Sequence, residues 1–264
     1  MYGVAHLAQI PMRAMAAESA EMVSQLLFGD AYQVLEESGQ WLKIVTCDCH
    51  YEGWISRKAF NQLHDDDVPD YLKAGKYMVR DWLLFIREIE TDITFPVFCG
   101  SSFPCPENNV LILGNAAFTM QLPENRIFEG NEKMSSQQVA MLRFASTYLN
   151  APYLWGGRTP AGIDCSAFTQ LIFKSIGLSI PRNASQQMQH GDPVDFITET
   201  QVGDLAFFQN EEGEIVHVGM ICGKDKIIHS SGKVRIDKLD ETGIFDAATG
   251  QYTHVLRLIK RMRI

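Results

Sequence analysis

Residues 153–168, YLWGGRTPAGIDCSAF, bring the chain round sharply and then open a helix. Gly156 and Gly157, followed by Pro160 and Gly162, supply the backbone freedom for a tight turn, and Asp164 is a favourable N-cap residue. The helix is predicted from Asp164 or Cys165 to Ile176, with Ala167, Leu171 and Ser175 on one face, Phe168 and Ile172 on a neighbouring one, and Gly177 as the stop. Cys165 therefore stands at a helix N-terminus. There, unpaired N–H groups and the positive end of the helix dipole favour a thiolate, lowering a pKa that is about 8.5 in free cysteine. A small buried residue, half of a disulfide, a metal ligand and a nucleophile all remain open for it.

The flanking sequence frames this turn. Ahead of it, Ser135 and Ser136 give a cap signal, and VAMLRFASTYL spaces Val139, Leu142, Ser146 and Leu149 by threes and fours, predicting a helix ended by Asn150 and Pro152. Behind it, GDLAFFQN, EIVHVGMIC, KIIHSSG and VRIDKL read as strands, giving an α+β region with helices first and an antiparallel sheet after. Residues 1–63 read instead as short extended pieces (GVAHLAQIPMRA, MVSQLLFG, AYQVLEES, WLKIVTC, GWISRKAF) with the spacing of a small barrel. HDDDVPDYL, three aspartates before a proline, reads as an exposed linker and places a boundary near residues 64–70. ITFPVFCG, NVLILGNAAFTM and RIFEG suggest a second small β module. The expected domains are 1–66, 67–132 and 133–264.

Bulk properties narrow the partners. A chain of 264 residues with 46% hydrophobic residues can bury a sizeable core. A net charge of −9 argues against nucleic-acid or anionic-membrane partners, which need a basic surface. No run approaches the roughly 18 apolar residues of a spanning helix. The first twenty residues show no charged start followed by an apolar segment, so the expected location is the cytoplasm, or the periplasm for a protein that has lost a leader. The six cysteines, at 47, 49, 99, 105, 165 and 222, are expected to be mostly reduced. Cys47, Cys49 and His50 are spaced too tightly for a usual zinc site and have no matching second pair, so no metal and no cofactor is expected. Cys99 and Cys105 flank a proline-containing loop and could pair if oxidised, but burial as small apolar groups is the preferred reading.

A nucleophilic cysteine needs a base. Downstream, His217 in VHVGM and His229 in IIHSS lie inside strand-like runs, 52 and 64 residues after Cys165, whereas the other histidines look incidental. Alternation puts His217 on the face opposite Val216 and Val218, able to meet a helix start that crosses that face. His229 on the next strand could hold the first imidazole in its useful tautomer.

YLWGGRTPAGIDCSAF, PRNASQQ (181–187), GDLAFF (203–208), HVGM and IHSSG resemble the successive blocks of the NlpC-type, papain-like cell-wall cysteine peptidases, over about residues 136–260. The resemblance implies a papain-like catalytic domain, helices packed on an antiparallel sheet, preceded by two small all-β SH3-like barrels. It implies Cys165 as nucleophile, His217 as base and His229 as orienting residue, with the Tyr153 hydroxyl near the oxyanion. It implies that Asp164 and Ser166 read the substrate, a carboxylate there pairing with a peptide's free amine while also capping the helix. The SH3-like modules resemble a subgroup, γ-D-glutamyl-L-diamino acid endopeptidases of the dipeptidyl-peptidase VI type. These cut the γ-D-Glu bond to L-Lys or meso-diaminopimelate in murein peptides that begin with a free L-Ala, as in cell-wall peptide recycling. On that footing Tyr51 and Glu21 are candidates to grip the amine, and Arg182 either meets a substrate carboxylate or lies on the surface. Asn183 departs from the aspartate common after Pro-Arg and removes a charge there. A non-catalytic wall-binding protein and a thiol acyltransferase are the alternatives. The first expects an unreactive Cys165, and the second is disfavoured without a membrane-anchoring segment.

Overall fold

The computed structural model describes residues 1–122 and 134–263. The chain divides into two compact units, Met1–Glu129 with Trp155–Pro160, and Gly130–Leu154 with Ala161–Ile264.

In the first unit, β1 (Tyr2–Val4), β2 (Gln9–Arg13), β3 (Met22–Leu27), β4 (Ala31–Ser38), β5 (Trp41–Thr46), β6 (Glu52–Ser56) and β7 (Gln62–Leu63) form one sheet in the order β3-β2-β6-β5-β4-β1-β7. Alternation makes such strands one-sided: in WLKIVT, Leu42, Ile44 and Thr46 are buried and the residues between them are half-buried. The first predicted extended piece is in fact two strands, since β1 pairs with β4 and β7 while β2 pairs with β3 and β6. HDDDVPDYL is only partly a linker. Its end forms α1 (Val68–Lys73), where Pro69 is tolerated because the first helical turn needs no N–H from it. Val68 and Tyr71 are buried, and the Tyr71 hydroxyl donates to Gly29 O at 2.6 Å.

β8 (Lys76–Met78) pairs with β11 (Ser102–Pro104), and β9 (Leu83–Glu88), β10 (Thr94–Phe98), β12 (Val110–Leu113) and β13 (Ala116–Thr119) form a four-stranded sheet. NVLILGNAAFTM is thus a hairpin, whereas RIFEG lies outside the described residues. Asn61 fastens the hairpin, its Nδ2 donating to Leu113 O at 2.7 Å and its Oδ1 accepting from the Asn115 N–H at 3.1 Å. Val4, Phe28, Ala31 and Leu63 share a core with Ile86, Val97, Phe103 and Phe118, so the β elements before and after α1 are buried against one another.

The segment Trp155–Pro160, with β14 (Arg158–Thr159), packs in this unit although it lies just before Cys165 in the chain. Gly156, at φ +75°, lies so close to the strand that a Cβ would meet Met22 O at 2.3 Å. Arg158 is buried, donating to Gln25 O at 2.7 Å and to Asp30 Oδ2 at 2.9 Å. Buried charges persist only when paired and hydrogen-bonded, and this one is both.

In the second unit, α2 (Met134–Thr147) and α3 (Cys165–Lys174) are the main helices, with β15 (Gly162–Ile163) before α3 and the short α4 (Ala184–Gln187) after it. The predicted stripe on α2 is not the one buried. Val139 and Ser146 are exposed, and the core takes Met141, Phe144, Ala145 and Tyr148 instead. The sequence carries two overlapping stripes, and the aromatic one prevails because the Tyr148 ring meets those of Phe144, tilted, and Phe168, edge-on, at 5.6 and 5.9 Å. The Ser135/Ser136 signal lies inside the helix. α3 ends at Lys174, short of Ile176, and Cys165–Phe173 is buried all round rather than on two faces.

The remaining strands are β16 (Asp192–Val194), β17 (Leu205–Gln209), β18 (Ile215–Gly223), β19 (Lys226–Ser231), β20 (Lys233–Leu239), β21 (Gly243–Asp246) and β22 (Gln251–Arg261). All pairings are antiparallel, in the order β16-β22-β17-β18-β19-β20-β21, and β22 also pairs with β21, closing six strands on themselves. Ala206, Phe208, Ile221, Ile227, Leu239, Ile244 and Ile259 fill one face of this closed sheet. No helix among the described residues is long and apolar enough to cross a membrane.

Candidate active site

Asp164 caps α3 as its residue type suggests, with Oδ1 accepting the Ala167 N–H at 2.8 Å. The same carboxylate is held from the other side by Arg182, whose Nη1 lies 3.0 Å from Oδ1 and whose Nη2 lies 2.6 Å from Oδ2. Arg182 Nη1 also donates to Ser166 Oγ at 2.9 Å. Arg182 is therefore not a surface residue: it is 2% exposed and its charge is taken up by Asp164. Gln187, fully buried, donates to Ser166 O at 2.9 Å and accepts from Thr169 Oγ1 at 2.8 Å. The PRNASQQ block thus braces the first turn of α3 through Arg182 and Gln187. Asn183 precedes α4 as its cap residue without a side-chain cap bond.

Cys165 opens α3 and is 6% exposed. Burial, and next the Asp164 carboxylate beside it, push its thiol up to about 12, against the pull of N–H groups from Val218 and Ser166 and of the Arg182 charge. The helix start alone promised the opposite direction. It is outweighed because a buried thiolate loses its hydration and faces a neighbouring carboxylate. A thiolate here needs a partner that takes and keeps the proton close by.

β18 supplies the surroundings for that partner. The Val218 N–H that meets the thiol belongs to the residue after His217. His217 is 5% exposed, and burial, then His229 and His254, hold its imidazole well below its ordinary pKa. β19 is the neighbouring strand, with Gly219 opposite His229, so the two imidazoles meet diagonally and His217 Nε2 lies 2.9 Å from His229 Nδ1. That leaves Nδ1 as the His217 nitrogen able to take a thiol proton. A Cβ on Gly219 would stand 2.8 Å from His229 Cβ, so this meeting requires glycine there.

Tyr153 is half-buried, its N–H held by Gly232 O at 2.9 Å. Burial, followed by the charges of Cys165 and Asp164, pushes its hydroxyl up to about 12, so it stays a proton donor. Ser230 Oγ donates to Ile163 O at 2.8 Å, tying β19 to the residue before Asp164. Tyr153, Asp164, Cys165, Ser166, Arg182, His217 and His229 all belong to the second unit.

Tyr51 and Glu21 belong to the first. Tyr51 is half-buried against the Ile10, Leu42 and Ile44 core, its N–H donating to Thr46 Oγ1. Glu21 is exposed and accepts from Trp155 Nε1 at 2.6 Å. Cys99 is buried while Cys105 is exposed.

Two side chains escaped the sequence reading. His254 on β22 stacks on His217, with centroids 4.2 Å apart and planes 29° apart, so it is not incidental. Asp237 on β20 lies 2.9 Å from His229 Nε2 through Oδ2. Both could have been found. YTHVLRLI alternates like a strand, and a hairpin turn at Gly232 puts Asp237 on the His229 face of the next strand.

Known proteins resemble this chain in sequence and in fold. The NlpC/P60 family profile matches residues 150–253, and one described as the bacterial dipeptidyl-peptidase Sh3 domain matches residues 12–60. Over 241 residues the chain is 30% identical to the gamma-D-glutamyl-L-lysine dipeptidyl-peptidase of Bacillus subtilis (strain 168), covering 83% of this chain and 76% of that protein. The chain belongs to the NlpC/P60 family. A protein of the same description from Bacillus cereus (strain ATCC 10987 / NRS 248) is 26% identical over 87% of this chain and 74% of its own length. A solved NlpC/P60 family protein from Bacillus cereus ATCC 10987 has the same fold, with a TM-score of 0.78 at 19% identity over 99% of each chain. As a member of this family the chain is a cysteine peptidase, α+β in its catalytic domain and all-β before it.

Proposed function

We propose that this NlpC/P60 peptidase hydrolyses the bond between γ-D-Glu and a diamino acid, L-Lys or meso-diaminopimelate, in murein peptides with a free N-terminal L-Ala. The observation that carries the reading is the Cys165 thiol at the start of α3, against the Val218 amide, with a buried His217–His229 pair on the adjoining strands. The γ-D-glutamyl-L-lysine bond in the names of two relatives supports this choice of bond. On this reading residues 1–66 and 67–132 are SH3-like modules and 133–264 the peptidase domain.

The chemistry runs in two halves. His217 Nδ1 takes the Cys165 proton, and the sulfur attacks the γ-carbonyl carbon of D-Glu, forming a C–S bond while the carbonyl pair moves onto oxygen. The Tyr153 hydroxyl donates to that oxyanion together with backbone N–H at the helix start. As the carbonyl re-forms, the C–N bond breaks and the His217 proton passes to the departing amine. The thioester is then attacked by water, which gives its proton to His217, and the C–S bond breaks to release the γ-carboxylate and restore the thiol. Burial keeps both partners neutral at rest, so charge appears only as the pair reacts.

Asp164 and Ser166, beside Cys165, are the proposed readers of the free amine. Such an amine exists only on fragments already cut from the glycan, which fits a recycling role on short peptides. The test is mass spectrometry of L-Ala-γ-D-Glu-L-Lys, its diaminopimelate counterpart and their N-acetylated forms, each incubated with wild type and Cys165→Ala. Cleavage of the free-amine peptides by wild type alone is expected, and equal cleavage of the acetylated forms would remove amine recognition from the reading.

A further inference from the structure

The polar relay does not end at His229. It crosses four adjacent strands, from His217 on β18 through His229 on β19 to Asp237 and Arg235 on β20 and Asp246 on β21. Arg235 donates from Nε to Asp237 Oδ2 at 2.7 Å and from Nη2 to Oδ1 at 2.8 Å, and its Nη2 lies 3.1 Å from Asp246. Both Asp237 oxygens are thereby fixed, and its side chain is 8% exposed.

We propose that Asp237 is a positioning residue for the base: through His229 it determines which nitrogen of His217 carries the proton, and Arg235 keeps Asp237 in the ionised, non-rotating state that this requires. The inference rests on the reading of Cys165 as nucleophile and His217 as base. A carboxylate only accepts, so the His229 nitrogen facing Asp237, Nε2, carries the hydrogen. In neutral His229 the other nitrogen, Nδ1, is then bare and accepts, so the proton shared at 2.9 Å belongs to His217 Nε2. His217 Nδ1 is left with a lone pair, the only arrangement in which it can receive the thiol proton. With His229 in the opposite tautomer the shared proton would come from His229, and His217 would carry its own on Nδ1, closed to Cys165.

Arg235 makes the choice robust. Burial works against the Asp237 charge, but hydrogen bonds from His229 and Arg235 outweigh it and hold the carboxyl below its usual range. An amide in its place would turn its single oxygen to the guanidinium and its NH2 to His229, imposing the wrong tautomer. A further titratable group against the two rings is His254, stacked on His217 and 5.9 Å from His229. Burial first, then His229, holds it down at about 4, so it is neutral when Asp237 acts.

The experiment measures kcat and KM against pH on L-Ala-γ-D-Glu-L-Lys for wild type, Cys165→Ala, Asp237→Asn, Asp237→Glu, His229→Gln and the double variant Asp237→Asn/His229→Gln. Asp237→Asn is expected to lose about 10²-fold or more in kcat with KM within about twofold, since Asp237 is placed to touch no substrate. Its acidic limb should move to lower pH, because the neutral His217 required at rest is harder to protonate once a nearby negative charge is gone. Asp237→Glu keeps the charge and should keep the wild-type acidic limb; a limb displaced from that of wild type would overturn the proposal, and this comparison stands even where the asparagine variant folds poorly. In the His229→Gln background the Asp237→Asn loss should shrink below about tenfold, because the tautomer it acts through is gone. An additive loss, or wild-type kcat and pH profile in Asp237→Asn, would overturn it too. Failure of the underlying reading looks different: Cys165→Ala would then keep turnover, whereas failure of this inference leaves Cys165→Ala inactive and Asp237→Asn active.

Discussion

Gly219 lacks a side chain because His229 stands where one would be. A methyl there would sit 2.7 Å from Ile227 Cδ1 and 2.8 Å from His229 Cβ, so the imidazole must shift or the strands must part. Gly219→Ala is expected to destabilise by about 1–3 kcal/mol, as over-packing does. It should also lower kcat about tenfold or more by moving His229 off His217. Thermal melts beside steady-state kinetics check this, and a variant with wild-type kcat would show that the 2.9 Å contact can be lost harmlessly. At the same scale, Arg182 and Asp164 hold each other at 2% and 7% side-chain exposure. Arg182→Met leaves a buried carboxylate alone at the head of α3, and a loss of about 3–5 kcal/mol is expected in denaturant titrations.

The elements show why some of this was legible and some was not. The α3 start could be read because Asp164, Cys165 and the glycines before them act locally, through capping and backbone freedom. The histidine pair could be read because period-2 alternation sets the face of a strand whatever it packs against. The buried face of α2 could not, because Val139/Leu142 and Met141/Phe144 both satisfy helical spacing, and only the Phe168 ring on α3 decides between them. Denaturant titration is expected to show about 3–5 kcal/mol lost in Phe144→Ala and under about 0.5 kcal/mol in Val139→Ala. The reverse order would restore the stripe read from sequence. The burial of Arg182 is hidden for a similar reason: a buried arginine is visible only through the carboxylate 18 residues away that neutralises it. Asp237 needed the hairpin register, which a single glycine at 232 sets.

For the whole molecule, the closed sheet of the catalytic unit buries neutral histidines, and this gives stability a pH dependence. Burial, then the neighbouring histidines, depresses His217 well below 6.5, and His254 falls to about 4. Each is uncharged in the fold at a pH where the unfolded chain begins to bind a proton. Their contribution is therefore fully present above about 6.5 and is lost as pH falls towards 4 and below. The melting temperature is expected to drop over that window, and to drop less in His254→Gln; an identical slope in the variant would remove His254 from the account.

The central claim is that Cys165 carries the acyl group of the substrate. Acid-quenched wild-type enzyme, taken during turnover of L-Ala-γ-D-Glu-L-Lys and analysed by peptide mass spectrometry, tests it most directly. The expected result is an L-Ala-γ-D-Glu acyl group on the peptide that contains Cys165, absent when His217→Ala enzyme is treated in the same way. Rapid turnover by a Cys165→Ala enzyme, or an acyl group found on any other residue, would contradict it.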